Sequence, residues 1–175
     1  MLGVLGGYYI GKYALTYYSS GYNTGQFIDK SSNLLEWRKD IYGTDVVTID
    51  GLWMCIRKEL FDSGKVKWDD ETYPGFHYYD LDMSMQVLHS GFRIGIVKGL
   101  YIQHFSVANF NKTFYMNSIR FHKKWNFFLP QCASGFVLPA DYKEGLWLTV
   151  KSLIRGKFRA EIYKLKKWIN NKYNG

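Results

Sequence analysis

The fold is decided by residues 80–97, which read DLDMSMQVLHSGFRIGIV. Apolar residues recur at helical spacing until Gly91, which provides a C-terminal stop, so residues 80–90 predict a helix. Apolar and polar side chains then alternate over residues 92–97, as expected of a half-buried strand. A helix that leads through a glycine into a strand is typical of an α/β fold.

The residues before this segment predict further short elements. Residues 45–56 are rich in β-branched and other apolar side chains, and the stretch is broken at Asp50-Gly51, a turn or bulge signal. A helical turn is expected at residues 57–61, followed by a polar, acidic loop at 65–75.

The two ends of the chain differ in character. Residues 1–33 are rich in Gly and Tyr, which predicts a strand end or tight turn and then an exposed loop over residues 13–26. Aromatic side chains at helical spacing predict another helix at 114–125, closed by Pro130. A loop over 129–141 and a helix over 143–154 are expected to follow. We therefore expect two parts, an α/β part over 1–106 and a helical extension over 107–175.

Composition excludes several classes of protein. The chain has 175 residues, 47% of them apolar and 19% aromatic, which suits one packed domain and excludes disorder. Its two cysteines exclude a disulfide scaffold and indicate a reducing compartment. Because there is no run of about 18 apolar residues, no membrane span is predicted, and a cytoplasmic location is expected.

The positive charge is concentrated at the C-terminal end. Residues 151–175 hold eight Lys or Arg and one Glu, so they carry +7 of the formal charge of +8. Apolar residues also recur at helical spacing over 151–173, which predicts a basic amphipathic helix. The pattern is explained equally well by docking on an anionic membrane surface and by packing on the protein body with the charges in solvent.

Two kinds of side chain are candidates for catalysis or metal binding. Asp80 and Asp82 form a tight acidic pair, and they suit either a divalent cation or, more commonly, the favourable start of a helix. His104 ends an alternating stretch, where a histidine is more often a half-buried side chain than a metal ligand.

The order of these pieces resembles the second half of a family-2 glycosyltransferase of GT-A fold. The residues that carry the resemblance are DGLWMCIRKELF at 50–61, YDLDM at 79–83, HSGFRI at 89–94 and QH at 103–104. Residues 121–130, FHKKWNFFLP, resemble the branch that contains streptomycin-biosynthesis-type glycosyltransferase-like proteins. The resemblance implies an α/β chain with a partial GT-A (nucleotide-diphospho-sugar transferase) fold and a C-terminal helical extension.

The resemblance also implies roles for individual residues. The family's Glu-Asp pair falls on Tyr79-Asp80, so Asp80 is expected to be the general base that takes a proton from the acceptor hydroxyl. Asp50, Gly51 and Trp53 match the wall where donor sugar and acceptor meet. Tyr79 and Asp82 are expected beside the sugars as well.

His104 matches a histidine that binds a divalent metal in many relatives. The expected cofactor is therefore a divalent cation, Mn²⁺ or Mg²⁺, with most of its ligands outside this chain. The chain is expected to begin at the strand of residues 3–7, after the family's nucleotide-binding half, and to be catalytically silent alone.

Two functions are predicted, in decreasing order of support, and a third, nucleic-acid binding, is not expected. The first is part of an inverting, metal-dependent glycosyltransferase that uses a nucleotide-sugar donor and a cell-envelope or capsular acceptor, glycan or lipid-linked. The alternative is a non-catalytic carbohydrate-binding or degenerate transferase module. Nucleic acid is not expected as a partner, because the aromatic residues lie mainly in the near-neutral body, away from the basic tail.

Overall fold

The computed structural model describes residues 1–12, 22–37, 45–105 and 111–138, a mixed α/β arrangement of short strands with three helices. The strands are β1 (Leu2–Gly3), β2 (Leu5–Gly7), β3 (Tyr9–Ile10), β4 (Asn23–Asp29), β5 (Leu34–Trp37), β6 (Asp45–Val46), β7 (Thr48–Ile49), β8 (Met54–Cys55), β9 (Ile94–Ile96), β10 (Gln103–His104) and β11 (Gln131–Cys132). The helices are α1 (Lys58–Asp62), α2 (Tyr79–His89) and α3 (Lys112–Trp125).

Residues 2–10 are central to the described structure, because they supply one strand to each of three sheets. The first sheet has the order β6-β9-β1-β8, and the second has the order β10-β4-β2-β7 with β5 also paired to β4. In the third sheet β3 pairs with β11. β1 is parallel to β9 and β10 is parallel to β4, whereas the other pairs are antiparallel.

The glycines of this central segment allow close strand packing. A Cβ atom at Gly6 would lie 2.3 Å from the carbonyl oxygen of Thr48 on β7. No side chain fits at that distance, so glycine is required there for packing.

One large core joins the central strands to α2 and α3. Its fully buried members include Tyr8, Ile49, Met83, Val87 and Phe121. A smaller cluster is formed by buried residues of β2, β4 and the residue between β1 and β2, namely Val4, Leu5 and Phe27. The helices are therefore attached to the sheets by apolar burial rather than by the connecting loops.

The α/β class and its central helix and strand are confirmed. The helix predicted at 80–90 is α2, and the strand predicted at 92–97 is the shorter β9. Gly91, the predicted stop, has a φ of 79°, a left-handed conformation that ends helices. The predicted helical turn and the aromatic helix are α1 and α3.

The prediction of an exposed loop over 13–26 is wrong for the residues that the structure describes. Residues 23–26 belong to β4, in the middle of the second sheet. Gly25 has a φ of 116°, and a Cβ atom there would lie 2.0 Å from the carbonyl oxygen of Val4. Gly25, which in the sequence resembles a turn signal, instead allows β4 to pass close to the backbone of Val4 inside a sheet. Likewise, β11 interrupts the loop predicted over 129–141.

Two predictions lie partly or wholly outside the described residues. The helix at 143–154 and the basic segment 151–173 both fall there, so membrane contact stays a prediction. α3, which falls in the extension predicted at 107–175, shares the large core with α2. In the part of the chain that the structure describes, no helix has the length and apolar character that crossing a bilayer requires.

Candidate functional site

The candidate site lies where the turn after β7 meets the first turn of α2. The fully buried Ser84 attaches the helix to the strand, since its Oγ accepts from the backbone N–H of Ile49 on β7 at 3.3 Å. Within α2, the hydroxyl of Ser84 donates to the Asp80 carbonyl oxygen at 2.7 Å. Because Ser84 is one helical turn after Asp80, and Gly51 is two residues after Ile49, this attachment brings Asp80 to Gly51.

The carboxyl group of Asp80 is held by two backbone donors. Its Oδ2 accepts from the N–H of Gly51 at 3.1 Å, and its Oδ1 accepts from the N–H of Leu81 at 2.9 Å. Burial raises the pKa of Asp80 to about 7, and the negative charge of Asp50 adds to this, while the two N–H groups partly offset it. A carboxylate with this pKa can accept a proton at neutral pH.

Asp50 supplies the second carboxyl group of the site. Its backbone N–H donates to the Leu5 carbonyl oxygen at 2.9 Å, which continues the β2–β7 pairing into the turn. Its Oδ1 accepts from the N–H of Leu52 at 2.8 Å, which closes the turn around Gly51. The prediction of a turn at Asp50-Gly51 is thereby confirmed, and the turn fixes Asp50 near Asp80.

Tyr79 covers the turn from the other side. Its hydroxyl donates a long hydrogen bond of 3.4 Å to the Gly51 carbonyl oxygen. Burial and the charges of Asp80 and Asp50 raise the pKa of Tyr79 to about 12, so the phenol keeps its proton at neutral pH. The structure thus brings together four of the predicted site residues, Asp50, Gly51, Tyr79 and Asp80.

Replacing Gly51 with alanine is expected to destabilise the protein by about 1–3 kcal/mol, because the added methyl group overlaps the Tyr79 ring and forces it to shift. A Cβ atom at this position would lie 2.1 Å from the Tyr79 hydroxyl oxygen and 2.6 Å from its Cζ. Denaturant unfolding measures the cost. The matched control is Gly51→Ala in a Tyr79→Ala background, where the clashing ring is gone and the extra methyl should cost little. An equal cost in both backgrounds would contradict the close contact.

Helix α3 holds the chain segment that leads into α2. Tyr78, just before α2, has a left-handed φ of 73°, which is strained for a tyrosine. Its ring packs against Phe114 and Phe121 of α3, with centroids 5.4 and 5.5 Å apart. The buried Asn117 donates to the carbonyl oxygen of His77 at 2.9 Å. These contacts fix the start of α2, and with it the position of Asp80.

Asp82 is not brought into the site. It is 2% exposed, and its carboxylate accepts from Trp125 Nε1 at 2.7 Å and from Gln86 Nε2 at 2.6 Å. Lys124 Nζ lies 2.8 Å from the same carboxylate and also contacts Asp69 at 2.7 Å. The expected place of Asp82 beside the sugars is therefore replaced by a contact that ties α2 to the end of α3.

Trp53 and His104 contact the smaller apolar cluster. Trp53 is partly buried and packs against the cluster of Val4, Leu5 and Phe27. The His104 ring meets that of Phe27 edge to face, with centroids 5.7 Å apart. In the second sheet β4 and β2 lie between His104 on β10 and β7, so the structure does not join His104 to the Asp50–Asp80 pair.

The described residues do not by themselves fit a bound divalent cation. Within 1–12, 22–37, 45–105 and 111–138, no three His, Cys, Asp or Glu side chains converge to hold a metal ion. Opposite His104 in the register is Asp29, whose carboxylate accepts from the N–H groups of Ser31 and Asn33 at 2.8 Å each. Hard cations require more oxygen ligands than this, so we propose no step that runs through a metal.

Several supporting residues were missed by sequence reasoning. Tyr78, Asn117 and Lys124 each act through a contact with a segment at least 35 residues away or through an unusual backbone angle. Asn117 and Ser118 are polar residues on the buried side of α3. A polar residue on an apolar helical stripe usually has a hydrogen-bond partner, and this was the one sequence signal for a contact between α3 and a distant segment.

One comparison with known proteins assigns a family to the sequence. A sequence model described as a glycosyltransferase like family matches residues 1–125, which is more than two thirds of the chain. The match runs from β1 through α3 and so contains the whole candidate site. It agrees with the predicted partial GT-A fold class. No curated protein and no solved structure was found to match the chain.

Proposed function

Because the chain belongs to the glycosyltransferase-like family, we propose that it takes part in the inverting transfer of a hexose from a nucleotide-sugar donor to a glycan acceptor. The proposed acceptor is a cell-envelope or capsular glycan, free or lipid-linked. The observation that carries this proposal is the partly buried Asp80, held by Gly51 and Leu81, with its pKa raised to about 7.

The proposed step uses Asp80 as the general base. The acceptor hydroxyl oxygen attacks the anomeric carbon of the donor sugar, and the bond from that carbon to the diphosphate oxygen breaks. The hydroxyl proton passes to the Asp80 carboxylate, and the nucleoside diphosphate leaves from the opposite face, so the configuration inverts. A positioned base of this kind contributes about a hundred- to ten-thousandfold in rate.

The geometry favours an enzyme over a sugar-binding module. A binding module gains nothing from a carboxyl group that is desolvated and placed near a second carboxylate, because both effects disfavour its charged form. Such an arrangement is useful where a proton has to be accepted near pH 7. We therefore place the non-catalytic alternative second.

The test is release of nucleoside diphosphate by the full-length gene product. Uridine-, guanosine- and thymidine-diphosphate hexoses serve as donors, with lactose, cellobiose or N,N′-diacetylchitobiose as acceptors. We expect one donor class to be turned over and the turnover to rise when an acceptor is added. The proposal fails if none of the donors is turned over under any of these conditions.

Replacing Asp50 with asparagine is expected to move the acid limb of the kcat/KM profile to lower pH by about 0.5–1 pH unit. The negative charge of Asp50 raises the pKa of Asp80, and protonated Asp80 cannot accept a proton, so activity falls below that pKa. Asparagine keeps the Oδ1 that accepts from Leu52. Glu59→Gln, a change at an exposed carboxylate on α1, is the control and should leave the limb in place. A limb that stays at its wild-type pH in Asp50→Asn would refute this coupling.

Two further parts of the function are proposals, the first from the resemblance and the second from the charge pattern of the sequence. His104 is offered as one ligand of a Mn²⁺ or Mg²⁺ ion, the other ligands being outside the described residues. The basic segment 151–173 is proposed to contact the inner face of a membrane, in keeping with its eight basic residues within 151–175 and its apolar stripe.

A further inference from the structure

Two large aromatic side chains are exposed next to the candidate site. Trp68 is 50% exposed and Phe76 is 68% exposed, and both lie in the loop between α1 and α2. Each ring contacts that of Tyr79, with centroids 6.2 Å apart for Trp68 and 5.8 Å apart for Phe76. We call these three rings the aromatic platform. Large apolar side chains that cluster on a surface usually mark a binding site.

The platform is directly connected to the proposed base. Tyr79 immediately precedes Asp80 in α2, and its hydroxyl donates to the carbonyl oxygen of Gly51. The N–H of the same Gly51 donates to the Asp80 carboxylate. A single short oligosaccharide can therefore place one sugar ring on Trp68 or Phe76 and another sugar next to the Asp80 carboxylate.

Packing does not account for these exposed rings. Among the described residues, the Trp68 ring also contacts that of Phe61 at 5.9 Å and the Phe76 ring contacts that of His77 at 5.6 Å, yet 50% of Trp68 and 68% of Phe76 stay exposed. An aromatic side chain with an open face suits a ligand that is apolar on one side and polar at its edge. A hexose ring has this character, since its C–H groups form an apolar face and its hydroxyls point outward.

The exposed charges between Trp68 and Phe76 in the chain disfavour anionic ligands, whereas Lys65 and Lys67 lie on the other side of Trp68. Asp70 and Glu71 are exposed, and they lie between Trp68 and Phe76 in the chain. The nearby Asp69 is already paired with Lys124 at 2.7 Å. Carboxylates at this position repel phosphorylated or acidic sugars and can accept hydrogen bonds from the hydroxyls of neutral sugars.

We propose that Trp68, Phe76 and Tyr79 bind a neutral hexose ring of the acceptor glycan, next to the unit whose hydroxyl loses its proton to Asp80. That the sugar belongs to the acceptor rests on the proposed function. That the platform binds a neutral sugar ring rests on its exposure, ring contacts and charge alone.

The experiment measures disaccharide binding by saturation-transfer and titration NMR on the full chain. The probes are lactose, cellobiose and N,N′-diacetylchitobiose, with digalacturonic acid as the anionic probe. We expect at least one neutral disaccharide to bind with a millimolar dissociation constant. Trp68→Ala and Phe76→Ala should each weaken that binding about three- to tenfold. Digalacturonic acid should bind more weakly than the best neutral probe.

The control is Phe127→Ala, which removes a phenylalanine that is 92% exposed after the end of α3, away from the platform in sequence. It should leave binding unchanged, and thermal unfolding should show all three variants folded. The proposal is overturned if no neutral disaccharide binds, if Trp68→Ala and Phe76→Ala bind like the wild type, if Phe127→Ala is equally impaired, or if digalacturonic acid binds as tightly.

Failure here and failure of the proposed function can be told apart, because binding is measured without turnover. If the protein turns over no donor but still binds sugar in a way that depends on Trp68, the proposed platform is supported and the proposed transferase function is refuted. If turnover depends on Asp80 but no sugar binding depends on the platform, the proposed transferase function is supported and the proposed platform is refuted.

Discussion

In the full-length gene product, Asp80→Asn is expected to slow sugar transfer by at least about a hundredfold while leaving the protein folded. Asparagine is nearly the same size as aspartate, and its Oδ1 can still accept from one of the two N–H groups of Gly51 and Leu81. It cannot take up the acceptor proton. The loss should therefore appear in kcat, while binding of the disaccharide probes stays near that of the wild type.

The same variant should change how stability depends on pH. The pKa of Asp80 is raised to about 7 in the folded protein, whereas an aspartate in the unfolded chain has a pKa near 3.8. Between these values the folded state holds a proton that the unfolded state has lost, so the free energy of unfolding falls as pH rises from about 4 to 7. The full effect is on the order of a few kcal/mol. The side chain of asparagine does not ionise, so this part of the pH dependence should disappear in Asp80→Asn.

The control for both measurements is Glu59→Gln, which removes an exposed carboxylate from α1. It should change neither kcat nor the pH dependence of unfolding. Transfer at a near wild-type rate by Asp80→Asn would remove Asp80 from the mechanism. An unchanged pH dependence of unfolding in Asp80→Asn would show that the carboxyl group is better solvated than its surroundings indicate.

Local periodicity was enough to predict the elements that position the base. The helix α2 and the strand β9 follow from apolar spacing and one glycine, because both are short-range patterns. The turn at Asp50-Gly51 follows from turn chemistry, and it is confirmed by the hydrogen bond from Leu52 to Asp50. Since residues 50–51 and 79–80 each adjoin a well-predicted element, their place in one site was also predictable through the family resemblance.

What was missed depends on contacts between distant parts of the chain. The strand β4 contains Gly25, which has a positive φ and lies so close to β2 that an added Cβ atom would be 2.0 Å from the Val4 carbonyl oxygen, and no local pattern shows this. In the same way, Asp82 has the sequence position of a helix-start or sugar-binding carboxylate. Its actual partners, Lys124 and Trp125, are more than 40 residues further along the chain.

The role of Asp82 leads to the largest expected effect on stability. Asp82→Ala should destabilise the protein by about 3–5 kcal/mol, as measured by denaturant unfolding. The carboxylate is 2% exposed, and its loss leaves the Trp125 indole N–H without its partner and removes one of the two acids that face Lys124. Burial disfavours the charged form of Lys124, but hydrogen bonds to Asp69 and Asp82 outweigh it and raise the pKa of that amine.

Comparison with an exposed ion pair isolates the effect of burial. Asp62 pairs with Lys58 at 2.7 Å, four residues apart on α1, with side chains that are 57% and 82% exposed. Asp62→Ala should cost no more than about 0.5 kcal/mol, because solvent screens such pairs. Asp82→Asn should lie between the two, since its amide oxygen can still accept from Trp125 but the negative charge is lost. If Asp82→Ala costs no more than Asp62→Ala, α3 is not held to α2 through this carboxylate, and the support that α3 gives to Asp80 must come through Tyr78 and Asn117.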